Sequence, residues 1–136
     1  MHAREPGAFL RGFRAVLGLI YFFGSFSHVY FGLANPGAYR DFSDWAPPTS
    51  EPARDTWTWF LSDARYLALV LAAFEMLVAV LILYGGRATK LGLLGALGFH
   101  VVLALMFGMW PYTLPMIVLL GWSLRYDFDR VFRRPR

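Results

Sequence analysis

Three long stretches of the chain are almost free of charge, and the polar residues are swept into the segments between them. Leu91–Trp110 runs for 20 residues without a Lys, Arg, Asp or Glu. Tyr66–Gly86 has 21 residues and one charge, Glu75, while Phe13–Ala34 has 22 and only Arg14, at its edge. At about 1.5 Å per residue, each block as a helix crosses a hydrocarbon core of ~30 Å. A fourth block, Tyr112–Leu124, has 13 residues. It rises only about 20 Å. Trp110, Tyr112, Trp122 and Tyr126 bracket it like interfacial belts, so it reads as a short span whose mismatch thinning can absorb.

The predicted fold class is therefore all-α: one integral membrane domain over 1–136, an antiparallel four-helix bundle with spans at about 13–34, 66–86, 91–110 and 112–124. Two short connections favour neighbouring antiparallel helices, and backbone groups in lipid must close their hydrogen bonds within each span. The blocks do not alternate as barrel strands would. The first is too long for a secretory signal and no A-x-A pattern follows it.

Composition agrees: 57% of residues are hydrophobic, more than an ordinary soluble surface tolerates. The net charge of +4 raises the question of nucleic acid, but its distribution answers it. Arg4, Arg11, Arg14, Arg87, Lys90 and the five arginines of the tail 125–136 fall on one side; Arg40, Arg54 and Arg65 fall on the other. This bias predicts cytoplasmic termini, with the basic tail touching anionic membrane lipid and no nucleic-acid partner. The absence of cysteine removes disulfides, iron–sulfur ligation and a dithiol relay as functions of this chain.

The outer loop 35–65 contains four prolines, five acids and Trp45, Trp57 and Trp59. Those rings predict short amphipathic pieces at the membrane interface, serving as a lid or as plain aromatic anchors. No phosphate-binding glycine loop or serine-nucleophile motif identifies a reaction.

His28, Glu75 and His100 are ionisable groups inside the apolar blocks. On helical wheels Gly18, Tyr21, Ser25, His28 and Gly32 share one arc, Ala68, Ala72, Glu75 and Ala79 a second, and Ala96, His100 and Ala104 a third. Small residues mark close helix packing, so these arcs face the bundle. His28 lies roughly 9 Å, Glu75 about 14 Å and His100 about 15 Å below the outer boundary. One polar centre is within reach, with Tyr21 and Ser25 beside His28. Such a centre can bolt helices together, polarise a ligand or handle protons. Haem ligation by the two histidines is a further option, and a metal site is not expected because no i, i+4 ligand pair exists.

The stretch "FFGSFSHVYFGLANPGAYRDFSDWAPP" resembles the first span and following loop of DoxX-like membrane proteins. The shared elements are small residues before His28, then Asn35-Pro36, Tyr39 and Pro47-Pro48. "FEMLVAVLILYGGRATKLGLLGA" is similar to the family's second span, with Glu75, an aliphatic run, the Gly85-Gly86 turn and a basic start to the next helix. The likeness covers about residues 13–110; Val78 and Ala79 stand where glycines are common in the family. It implies a four-span bacterial-type inner-membrane protein, an accessory of a membrane oxidoreductase, with His28 and Glu75 as the carried-over site residues. A quinone or similar lipid is the implied ligand, held by polar groups in an apolar bundle. Electrons would come from the partner, since no cofactor motif is present. Proton-coupled transport and a ligand-free assembly role are the competing classes.

Overall fold

A computed structural model describes residues 5–128. Its elements are all helices: α1 (Ala8–Ala34), α2 (Ala38–Trp45), α3 (Glu51–Ser62), α4 (Ala64–Tyr84), α5 (Arg87–Phe107) and α6 (Trp110–Ser123). Arg4, and Arg130, Arg133, Arg134 and Arg136 of the basic tail, lie outside the described residues. α1, α4 and α5 are each long and apolar enough to cross a membrane. Exposed Ile20, Phe23, Tyr30 and Leu33 give α1 an outer face suited to lipid rather than water. α6 has 14 residues and an internal Pro115, which cannot donate to the ladder.

Helix limits and charge limits do not coincide. α1 begins at Ala8, ahead of Arg11 and Arg14, because charge marks where hydrocarbon ends and not where backbone hydrogen bonding ends. The 35–65 connection contains two helices. Ser50 caps α3 by accepting from the Ala53 amide at 3.3 Å, and Pro52 sits in the first turn, where its missing N–H costs nothing. Asp63 caps α4 by accepting from the Tyr66 amide at 3.0 Å. Gly85 and Gly86 turn the chain from α4 into α5 with φ of 95° and 63°, values that disfavour any side chain.

Packing follows the arcs of small residues. α1 lies most extensively against α4, α4 against α5, and α5 against α6. Gly18, Tyr21, Ser25 and Gly32 of α1 are buried, as are Ala68, Ala72, Glu75 and Ala79 of α4. At Gly32 an added Cβ would stand 2.7 Å from Ala68 Cβ, so the backbones meet there as closely as the chemistry allows.

Two hydrophobic clusters result. The first joins Leu10, Leu17, Ile82, Leu93, Leu120 and Phe128 at the end holding the start of α1 and the α4–α5 turn. The second, at the other end, is aromatic, with Tyr39, Trp57 and Phe107 packed over Leu67 and Ala68.

Candidate functional site

Glu75 is buried on α4, its side chain about 10% exposed. Its Oε1 lies 3.5 Å from Nε2 of His28, one helix away. His28 Nδ1 is 2.6 Å from the hydroxyl of Tyr39, which α2 folds back over the end of α1. A neutral His28 donates from Nε2 to Glu75 and accepts the Tyr39 proton at Nδ1; a protonated one donates from both nitrogens. Tyr39 has its hydroxyl pushed up to about 12, first by burial and then by the charge of Glu75, so it keeps its proton at neutral pH.

Gly24 makes the room. A Cβ there would collide with Oε2 of Glu75, so the carboxyl rests against the bare backbone of α1. That oxygen is buried and has no hydrogen-bond partner among the described residues. Leaving such an atom unmatched costs ~1–3 kcal/mol, which marks the position as one that a further polar group completes.

The His28–Tyr39–Glu75 cluster lines a cavity of about 900 Å³ whose walls come from α1 to α5. Those walls are otherwise almost wholly apolar, with Phe74, Phe99, Val102 and Leu103 among them. Phe42, Trp57 and Phe107 also line it; Trp57 and Phe107 stand edge to face with centroids 5.0 Å apart. The indole N–H of Trp57 is a second buried polar atom without a partner among the described residues.

The connection between α2 and α3 is pinned. Thr49 donates its amide to the Met106 carbonyl at 2.8 Å and its hydroxyl to Leu105 at 2.9 Å. These carbonyls in the last turn of α5 have no partner within their helix, and Thr49 satisfies them.

The sequence-predicted residues separate into three groups. His28, Glu75 and Trp57 line the large cavity. Tyr21 and His100 line a smaller recess of about 140 Å³, shared with Glu75 and with Met116 of α6. Ser25 lines neither: its hydroxyl donates to Phe22 of its own helix at 2.7 Å. Trp45 and Trp59 also stay outside, exposed at the surface. One residue on each side of Trp57–Trp59 is decided by helix geometry, since two positions turn the wheel by about 200°. His28 and His100 line different recesses with Glu75 common to both, so the two rings do not share one ligand space. No group of three or more metal-ligating side chains forms among the described residues.

Tyr39 and Gly24 touch the His28–Glu75 pair, and periodicity alone passes over both. Tyr39 was visible as part of the family-like string, but its reach back to His28 depends on the turn at Asn35–Gly37. Comparison with known proteins finds no matching family model, no matching curated protein and no matching solved structure.

Proposed function

We propose that this chain is a DoxX-like inner-membrane protein whose large cavity holds a quinone or a similar ring-bearing lipid, as an accessory to a membrane redox complex. In this reading α1, α4, α5 and α6 form an antiparallel four-span bundle with cytoplasmic termini, and α2 and α3 cover the outer end. The observation that carries it is the cavity of about 900 Å³, apolar except where His28, Tyr39 and Glu75 converge. That volume suits a small lipid, and a few convergent polar groups in an apolar wall are what orient a carbonyl-bearing ring. Glu75 Oε2 and the Trp57 N–H have no hydrogen-bond partner among the described residues, and both side chains line the cavity. His28 and Glu75 would pass protons to reduced oxygen atoms, while the electrons come from the partner.

The test is mass spectrometry and absorbance of small molecules retained after mild detergent purification. Glu75→Gln and His28→Phe are expected to leave a folded protein that retains much less quinone-like lipid, whereas His100→Phe retains it. Wild-type retention in both of the first two variants would falsify the assignment. Topology is tested by single cysteines, which have no background in this chain. Exposed Asp44→Cys is expected to react with an impermeant label in intact cells and exposed Arg125→Cys to react only after lysis; the reverse pattern sinks the orientation.

A further inference from the structure

The recess of about 140 Å³ on the other flank of Glu75 is lined by apolar Leu17, Ile20, Phe99 and Met116 together with Tyr21 and His100. We infer that this recess is a hydration site, in which water joins Glu75 to Tyr21 and His100 and gives the carboxyl a second side for proton exchange.

Three observations lead there. First, His100 Nδ1 lies 2.9 Å from the Ala96 carbonyl, which only accepts, so Nδ1 carries a hydrogen and donates it. In the neutral ring Nε2 is then an acceptor, and no hydrogen bond to it forms among the described residues. Second, the Tyr21 hydroxyl is 3.5 Å from that same Nδ1. Since Nδ1 already bears a hydrogen, it cannot accept the Tyr21 proton, which is left to point elsewhere. Third, Glu75 lines the same recess. A hydroxyl, a ring nitrogen and a carboxyl side chain thus come together around one space, and the first two have capacity that the described residues do not use.

The space fits the solvent. At ~30 Å³ per molecule the recess holds about four waters, and a stable internal water needs two to four polar partners. A purely apolar recess of this size would stay dry; this one has three polar groups on its wall. The titratable groups facing Glu75 are His28 and Tyr21 of α1, Tyr39 of α2 and His100 of α5, with α6 contributing only Met116. Proton transfer in the recess needs no co-reactant: Glu75 as acid gives its proton to water and regains one from it. His28 serves the same carboxyl from the side of the large cavity, so Glu75 stands between two routes.

The inference needs no ligand in the large cavity, and it is tested on ligand-free protein in lipid nanodiscs. Radiolytic hydroxyl-radical labelling marks side chains next to bound water. Met116 is expected to label well above Met76, which lines neither recess. In Tyr21→Phe combined with His100→Phe, labelling of Met116 is expected to fall several-fold with thermal stability retained. In parallel, the infrared signal of Glu75, identified by its loss in Glu75→Gln, is expected to shift in Tyr21→Phe, which preserves the ring and its packing. Met116 labelling no higher than Met76 means that side chains and lipid fill the recess, and overturns the inference. A Glu75 signal unmoved in Tyr21→Phe overturns it as well. Loss of the quinone reading with Met116 still labelled leaves the hydration site standing.

Discussion

The two ends of the molecule are built to different standards. Toward the α4–α5 turn, Leu17, Ile82, Leu93 and Leu120 are almost wholly enclosed in one apolar cluster. Several polar groups there are matched within the chain: Thr89 donates to the Ile82 carbonyl at 3.0 Å, Ser123 to Leu119 at 2.8 Å, and the Gly86 amide to Phe128 at 2.7 Å. At the other end the packing leaves about 900 Å³ lined by many aromatic rings, and Glu75 and Trp57 keep polar atoms without a hydrogen-bond partner among the described residues. A chain that closes one end so completely is able to close the other. On the proposed function the open end is the one that carries it, since unmatched buried polarity is kept where a ligand or water completes it.

The sharpest break between the ends comes from deleting packing at one and clearance at the other. Leu93→Ala empties a fully enclosed site and is expected to cost ~2–5 kcal/mol in detergent unfolding. Ligand retained per folded molecule should stay at the wild-type level. Gly24→Ala should do the opposite. The new methyl displaces the Glu75 carboxyl, which is the mobile end of a side chain, while the helix gains up to about 1 kcal/mol of propensity. Stability near wild type with reduced ligand retention is expected. If Leu93→Ala strips ligand, or Gly24→Ala keeps it, the functional asymmetry between the ends is wrong.

A smaller effect sharpens the open end itself. His28→Ala and Glu75→Gln are expected to couple by ~0.5–3 kcal/mol in a double-mutant cycle, since the groups are in direct contact. Glu75→Leu should be worse than Glu75→Gln, because it leaves His28 Nε2 without an acceptor in a buried place. Additive single effects would put the two side chains in independent environments. The corresponding cycle between Leu93→Ala and His28→Ala should be additive, as nothing in the packing links them.

These expectations also show what a sequence can carry. The lengths of the long helices were legible, because a count of residues along a helix converts directly into distance, and α1, α4 and α5 are each long and apolar enough to span a membrane. The small-residue arcs of α1 and α4 also picked out residues that the structure buries. Rotation was not legible to the same degree. His28 and His100 line different recesses, with Glu75 common to both. Trp57 faces inward and Trp59 outward. Gly24 escaped because a glycine declares nothing until the carboxyl it admits is seen. Tyr39 stood in the family-like string, but its contact with His28 was not legible, because it lies across a turn whose direction Asn35-Pro36 permits but does not dictate.

The smallest effect isolates Tyr39, the residue that ties the outer helices to the buried pair. Tyr39→Phe removes the donor to His28 Nδ1 and is expected to cost about 0.5–1.5 kcal/mol at neutral pH. The sign of its pH dependence follows from the hydroxyl, pushed up from an ordinary 10.0 to about 12 by burial and by Glu75. Below pH 10 the hydroxyl is neutral in both folded and unfolded chains, and its contribution is fully present. Above that point the unfolded chain loses its proton first, so the contribution drains away as pH rises toward 12. The stability gap between wild type and Tyr39→Phe should accordingly hold steady up to pH 10 and close beyond it. Glu75→Gln should move that closure only slightly lower, because burial is the larger cause of the shift. Matched unfolding curves of the three proteins from neutral to alkaline pH measure it. A gap that is absent at neutral pH, or that widens with alkali, would detach Tyr39 from the His28–Glu75 pair and leave α2 as packing alone.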